Sequence, residues 1–147
     1  MVHSIRLYQE EDQSALVEIW YHAVLQTHTF LKEEDFNFYY QLVRGGALNE
    51  VEKWIYCDNE KRPLGFIGVD GSKVEMLFVS PGHHGRGIGT RLLRHAQQVK
   101  GLHLQVDVNE QNEQAVRFYT RYGFAPEGRS AVDASGRPYP LIHMAIK

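Results

Sequence analysis

Three glycines alternate with other residues in the segment Gly85-Arg86-Gly87-Ile88-Gly89, which follows an apolar strand end and a proline and precedes an amphipathic helix. Because glycine has no side chain, a ligand can approach its backbone N–H group closely. These amides also lie where a helix begins, and the first amides of a helix are unpaired and positively polarised. The segment therefore predicts a site for a phosphate or pyrophosphate.

Two common phosphate-binding loops fit this segment poorly. A P-loop requires Gly-Lys-Ser/Thr, whereas Gly87 is followed by Ile88. The dinucleotide fingerprint requires a third glycine three residues after Gly89, and Leu92 stands there. A nucleotide-phosphate enzyme is therefore the disfavoured alternative, since no metal-binding carboxylate accompanies the loop either.

The periodicity of apolar residues predicts the order β-α-α-β-β-β-α-β-α-β-β, an α/β fold with a mixed sheet flanked by helices in one domain of residues 1–147. The expected strands are Ser4–Tyr8, Lys53–Cys57, Leu64–Val69, Lys73–Val79, His103–Val108, Gly128–Val132 and Leu141–Ile146. The fourth and fifth strands should be parallel, which brings their C-terminal ends to the rim that holds the glycine loop. Asp12 is expected to cap the first helix, and Val99 to lie on the apolar face of the third.

The composition of the chain excludes several classes of protein. Its 147 residues are 43% hydrophobic and 23% charged with a net charge of −2, so nothing global indicates nucleic acid or a membrane surface as a partner. Cys57 is the only cysteine, and no apolar run approaches the length of a membrane span, which favours a cytoplasmic protein. Between Met76 and Val106 there is no acidic residue but several basic ones, which suits an anionic cofactor or a solvated helix face equally.

A second segment with a recognisable pattern follows the glycine loop. It reads Asn112-Glu-Gln-Ala-Val-Arg-Phe-Tyr-Thr-Arg-Tyr-Gly-Phe124. It resembles the signature Asn-x-x-Ala-x-x-Phe-Tyr-x-x-x-Gly-Phe of the GNAT acetyltransferases, whose acetyl-CoA loop is similar to the glycine segment. The similarity covers roughly Lys73 to Phe124. Three shorter runs further resemble one bacterial subgroup of that family: Thr27-His28-x-Phe30-Leu31, Asn109–Val116 and Pro138-Tyr139-Pro140-Leu141.

The resemblance implies acetyl-CoA as cosubstrate and assigns a role to each matched position. The amides from Gly85 to Thr90 would surround the pyrophosphate, the strand backbone before them would hold the pantetheine arm, and Asn112 would hydrogen-bond that arm. Tyr119 would lie near the cofactor sulfur. The cofactor residues implied in this way are Leu77, Phe78, Val79, His84, Gly85, Arg86, Gly87, Ile88, Gly89, Thr90 and Asn112. His84 departs from the family, which usually has Gln or Arg there.

Acetyl transfer to an amine requires a neutral amine and benefits from a proton for the departing thiolate. A phenol has a pKa near 10, so it stays protonated at neutral pH and can donate to a thiolate formed beside it. Tyr119 is therefore the predicted general acid, although its place on an apolar helix face also fits a packed core tyrosine.

Three residues are candidates for the group that accepts the amine proton. Asp107 and Glu75 lie on the two parallel strands, where each could instead be a half-exposed strand carboxylate. His28 lies in a helix-breaking segment where the family builds part of its acceptor cleft, although a loop histidine is more often solvated or capping. Phe30, Tyr39 and Tyr139 could form walls of that cleft, although aromatic residues at helical spacing usually belong to the core. No Cys or carboxylate stands at ligand spacing around the adjacent His83 and His84, so no metal is expected.

The resulting hypothesis is an N-acetyltransferase in which a primary amine attacks acetyl-CoA directly in a ternary complex. That amine could belong to a small amine or amino acid, or to a protein lysine or N-terminus. The alternative is a domain that binds acetyl-CoA as a sensor or docks with a partner without transferring anything. Neither nucleic acid nor a membrane is expected as a partner, and a homodimer is left open.

Overall fold

The structure is a computed structural model that describes residues 4–46, 51–83 and 86–147. Its elements are β1 (Ser4–Leu7), α1 (Gln13–Thr27), α2 (Glu33–Arg44), β2 (Glu52–Cys57), β3 (Pro63–Asp70), β4 (Lys73–Val79), α3 (Ile88–Lys100), β5 (Gln105–Asn109), α4 (Glu113–Tyr122), β6 (Ala125–Ser130) and β7 (Leu141–Ala145). The strands form one seven-stranded sheet in the order β1-β2-β3-β4-β5-β7-β6. The predicted α/β fold class and order of elements are confirmed.

Strands β4 and β5 form the one parallel pair among the strand pairings of the described residues, and they part soon after they meet. Their register contains only Lys73 opposite Gln105 and Val74 opposite Val106. On the other side of β4, Val69 pairs with Val74 while Gly68 pairs with Met76, so Glu75 is an additional residue in a β-bulge. A bulge bends its strand. Beyond Val74, β4 and β5 therefore leave a gap in the middle of the sheet.

Alternating side chains of the strands pack into two hydrophobic cores, one on each face of the sheet. On β2, Trp54 and Tyr56 join the core beneath α3 and α4, whereas Ile55 and Cys57 join the core beneath α1 and α2. Helices α3 and α4 thus cover one face and helices α1 and α2 the other. The gap between β4 and β5 lies between these two layers.

Three local predictions differ from the structure. Asp12 immediately precedes α1, but its carboxylate accepts hydrogen bonds from Arg6 at 2.8 Å and from the Gln9 amide at 2.8 Å instead of capping the helix. Val99 is 48% exposed because α3 turns Leu93 toward the core in its place. The sixth strand covers Ala125–Ser130 rather than Gly128–Val132, since its pairing with β7 begins at Ala125.

Candidate functional site

A cavity of about 410 Å³ reaches both faces of the sheet at the gap between β4 and β5. It has walls from the end of α1 on one face, from α3 and α4 on the other, and from β4 between them. The described residues that line it are Ala23, Thr27, His28, Leu77, Phe78, Val79, His83, Gly87, Ile88, Gly89, Thr90, Asn112, Gln114, Ala115, Phe118, Tyr119 and Arg121. The structure therefore brings most of the predicted cofactor residues together with Tyr119 and His28.

The first turn of α3 forms one end of the cavity and carries the predicted phosphate-binding amides. Gly87 precedes the helix with a left-handed φ of 78°, and the first helical hydrogen bond runs from the Arg91 amide to the Gly87 carbonyl at 3.0 Å. The amides of Ile88, Gly89 and Thr90 precede that bond, so the helix itself provides no acceptor for them. These free amides and the positive end of the helix dipole can together bind a negatively charged pyrophosphate.

Three other predicted cofactor residues are not among the described residues that line the cavity. Arg86 is exposed and does not line the cavity. His84 and Gly85 lie outside the described residues.

Leu77, Phe78 and Val79 line the cavity along the part of β4 that no longer pairs with β5. Asn112 immediately precedes α4, and its side-chain oxygen accepts the Ala115 amide at 3.2 Å. That cap uses the carbonyl oxygen, so the NH2 group of the side chain remains a donor, and Asn112 lines the cavity. This placement fits a flexible amide-containing arm lying in the gap.

Tyr119 lies on α4 with only 7% of its surface exposed, and it lines the cavity. Burial raises the pKa of its phenol above the usual value, because the charged form is disfavoured away from water. The hydroxyl group is therefore protonated at neutral pH. No hydrogen bond joins it to another of the described residues, so its proton can be donated to a group in the cavity.

The α1 side of the cavity continues into a row of aromatic rings. His28 lines the cavity, its ring centroid lies 5.3 Å from that of Phe30, and Phe30 in turn lies 6.0 Å from Tyr139. Phe30 and Tyr139 themselves do not line the cavity. The row leads outward from His28 along the face opposite α4, which is the place expected for an acceptor.

At the outer end of this row, hydrogen bonds and a cation–π contact hold the segment between β6 and β7 against α2. The buried Asp35 carboxylate accepts Arg137 Nε at 2.8 Å and the Tyr139 hydroxyl. The Arg137 guanidinium also lies 3.6 Å from the centre of the Phe38 ring. Through these contacts, helix α2 holds Tyr139 in place beside Phe30.

Neither of the two predicted carboxylate bases is among the described residues that line the cavity. Asp107 accepts Lys73 Nζ at 2.8 Å and pairs with His143 Nδ1 at 2.6 Å. Burial raises the pKa of this carboxyl, but the hydrogen bonds from His143 and Lys73 outweigh it, so the pKa is lowered overall. Glu75 is exposed on the bulge, 3.6 Å from Lys73 Nζ. Neither carboxylate therefore lines the cavity that Tyr119 lines.

Several lining residues were missed when the sequence was read alone. Ala115 and Phe118 follow the helical spacing of the second motif, but their apolar character indicated core. Ala23 and Thr27 also lie one helical turn apart, on the last turns of α1. Gln114 and Arg121 stand at unspecified positions within the second motif, and His83 was a candidate only as a metal ligand, so no sequence pattern placed them in this site.

Across residues 4–46, 51–83 and 86–147, no three His, Cys, Asp or Glu side chains come close enough to hold a metal ion. Over the same ranges, no helix has the length and hydropathy needed to cross a bilayer.

Comparison with known proteins yields consistent similarities. A family model described as "Acetyltransferase (GNAT) domain" matches residues 21–146. The Escherichia coli protein named peptidyl-lysine N-acetyltransferase YjaB is 41% identical over 145 residues, covering 99% of this chain and 97% of its own. The solution structure of apo-form YjaB from Escherichia coli superimposes with a TM-score of 0.90 over 99% of this chain and 97% of that chain, also at 41% identity.

A more distant solved structure shows the same fold. The PaiA N-acetyltransferase of Thermoplasma acidophilum, crystallised with coenzyme A, superimposes with a TM-score of 0.81 over 100% of this chain and 99% of that chain at 23% identity.

Proposed function

The chain belongs to the GNAT family and is an acetyl-CoA-dependent N-acetyltransferase, and from this premise we propose that its acceptor is the side-chain amine of a protein lysine. The predicted family, cosubstrate and enzymatic activity are confirmed by the family match and by the named relatives. The alternatives of a non-catalytic sensor and of a nucleotide-phosphate enzyme are accordingly set aside.

The observation that carries the proposal is the continuity of one cavity across the sheet. It joins the amide donors of α3 and the phenol of Tyr119 on one face to His28 on the other. Acetyl-CoA supplies an activated acetyl thioester. With the thioester in the gap, an amine that enters past His28 would attack from the face opposite Tyr119, in a ternary complex without an acyl-enzyme.

The character of the walls favours a lysine side chain over a polyamine. No Asp or Glu lines the described part of the cavity, and Arg121 adds a positive charge. A polyamine would bring further cations that find no counter-ion there, and burying an unpaired charge is costly. Lysine has one amine on an apolar stem, which the Phe30 and Tyr139 rings can pack against.

The same walls promote loss of the amine proton. An alkylammonium has a pKa near 10.4, so at pH 7 only about one in a few thousand is neutral. Removal from water without a counter-ion disfavours the charged form and lowers that pKa. We therefore infer that desolvation supplies part of the deprotonation, and that Tyr119 donates a proton to the sulfur as the C–S bond breaks.

The name of the relative YjaB supports the choice of acceptor. That protein is called a peptidyl-lysine N-acetyltransferase and is similar over nearly the full length of both chains. The reducing conditions that suit the lone buried Cys57, together with the use of acetyl-CoA, support a location in the bacterial cytoplasm.

The acceptor is tested with a panel of amines and purified protein. An Nα-acetylated peptide with one lysine is compared with the same peptide carrying arginine, with a lysine-free peptide that has a free N-terminus, and with spermidine. Release of thiol from acetyl-CoA and the mass of each product are measured. We expect acetylation of the lysine peptide alone; turnover confined to spermidine or to the free N-terminus would overturn the proposal.

The role of Tyr119 is tested by Tyr119→Phe, with Tyr122→Phe as the matched control on the same helix. The Tyr122 hydroxyl donates to Gln97 Oε1 at 2.5 Å and Tyr122 does not line the cavity. Since general acid catalysis contributes about 100-fold or more, kcat should fall by that amount in Tyr119→Phe only, with the Kd of acetyl-CoA nearly unchanged. Equal kcat values in the two variants, with chemistry rate-limiting, would remove the role.

A further inference from the structure

The last turn of α1 determines which nitrogen of the His28 ring carries the proton. Thr27 Oγ1 lies 2.7 Å from the Ala23 carbonyl oxygen and 2.8 Å from His28 Nδ1. A carbonyl oxygen has no proton, so the single hydroxyl proton of Thr27 must be donated to Ala23. Thr27 Oγ1 can then only accept from His28, which places the ring proton on Nδ1. It follows that Nε2 carries a lone pair.

The ring is held with that lone pair available to a molecule in the cavity. Nδ1 is engaged by Thr27, and among the described residues none hydrogen-bonds Nε2. The Phe30 ring packs against the imidazole at a centroid distance of 5.3 Å and restrains its orientation. Burial lowers the pKa of His28 to about 4, so the ring is neutral at physiological pH.

The attacking amine needs such an acceptor. A neutral amine has one lone pair, which must point at the carbonyl carbon, and two N–H bonds, which must point elsewhere. Among the described lining residues, no carboxylate can receive them. We propose that His28 Nε2, presented as an acceptor by Thr27, receives one N–H of the incoming amine and so orients its lone pair toward the thioester.

This role of His28 rests on the proposed function, and it leaves the overall stoichiometry of acetyl transfer unchanged. An ammonium and acetyl-CoA give the N-acetylated amine, the free thiol of coenzyme A and one proton to solvent. His28 accepts a hydrogen bond and keeps no proton. His28 is thus a catalytic residue that contacts substrate, and Thr27 is a positioning residue that acts through it.

The first test reads the tautomer directly, without activity. Long-range ¹H–¹⁵N correlation spectra of the protein, with His28→Gln used to assign the signals, distinguish a protonated ring nitrogen from an unprotonated one. We expect protonated Nδ1 and unprotonated Nε2 at pH 7. A ring protonated on Nε2 would overturn the proposal.

The second test separates the two ring nitrogens by substitution. A glutamine side chain carries its amide oxygen near the position of Nε2, whereas that of asparagine reaches only the position of Nδ1. We expect His28→Asn to lose about tenfold or more in kcat/KM for the lysine peptide, the effect of one hydrogen bond, and His28→Gln to retain most of it. The Kd of acetyl-CoA should be unchanged in both variants.

The third test acts on the positioning residue alone. Thr27→Val removes the acceptor for Nδ1–H, so kcat/KM for the peptide should fall severalfold and the ¹⁵N spectrum should show both tautomers of His28. Thr27→Ser keeps the hydroxyl and should restore both readouts.

The outcomes separate this proposal from the one on which it rests. If the wild type acetylates the lysine peptide while His28→Asn and His28→Gln lose activity equally, or neither loses any, the role of His28 is refuted and the acceptor class stands. If the wild type acetylates no lysine peptide, the acceptor class fails and the role of His28 toward it fails as well.

Discussion

Substitution of Gly87 by alanine tests whether the start of α3 binds the cofactor pyrophosphate. The backbone of Gly87 has a left-handed φ of 78°, and a Cβ there would meet no atom within 4 Å. The cost to the protein is therefore the strain of an L-residue in this conformation, about 1–2 kcal/mol. The free energy of unfolding should fall by that amount.

The effect on binding has a different origin. The backbone strain is present with and without acetyl-CoA, so it cancels in the Kd. The added methyl group, by contrast, occupies open space next to the amide of Ile88, the following residue. Loss of one hydrogen bond to a charged group costs about 1.5–3 kcal/mol, so the Kd measured by titration calorimetry should rise by about tenfold or more.

Gly71→Ala is the matched control. Gly71 also has a left-handed φ, of 61°, with nothing within 4 Å of a Cβ, but it lies in the turn at the opposite end of β4. We expect the same loss of stability in urea unfolding and wild-type affinity for coenzyme A. Wild-type affinity in Gly87→Ala, or equal weakening in both variants, would refute the placement of the pyrophosphate.

Two further predictions follow from burial and from the contacts of the segment between β6 and β7. Because the native pKa of His28 is lowered to about 4 while that of the unfolded chain is near 6.5, its contribution to stability is complete above pH 6.5 and is lost as the pH falls toward 4. Between pH 7 and pH 5 the free energy of unfolding of the wild type, measured in urea, should therefore fall by up to about 2 kcal/mol more than that of His28→Gln, and an equal fall would contradict a neutral, partly buried ring. Asp35→Asn should weaken the contacts with Arg137 and Tyr139, raising KM for the lysine peptide and speeding hydrogen exchange at residues 133–139, with acetyl-CoA affinity unchanged. Asp58→Asn, which alters a similar arginine-bound turn between β2 and β3, should leave KM as it is, and an equal change in both variants would argue against a role for the α2 contacts.

The helices next to the cofactor site were predictable because local signals agreed there. In α3 the apolar spacing of Ile88, Leu92 and Ala96 coincides with a glycine at each end, and α4 begins and ends where the motif indicates. Strand β6 was misplaced because Pro126 and Gly128 interrupt any alternation and its residues are largely exposed. Its identity depends on pairing with β7, which no local pattern encodes.

The candidate site was predictable where it depends on backbone and not where it depends on partners across the sheet. The glycine loop and Tyr119 lie within continuous motifs. The ion pairs of Asp107 with Lys73 and His143, by contrast, join residues 34 and 36 positions apart, which only the register of three strands reveals. The availability of His28 likewise depends on which atom the Thr27 hydroxyl faces, a matter of geometry rather than of residue type.

Because β4 and β5 pair over only two residue pairs, binding of acetyl-CoA and the stability of the fold are coupled. A sheet interrupted at its centre has an edge on each side of the break. A pantetheine arm bound there would lie between those edges like an additional strand. Anything that binds the native state alone stabilises it, by about 2.7 kcal/mol at a concentration one hundred times its Kd. The protein's resistance to unfolding would then follow the acetyl-CoA supply of the cell.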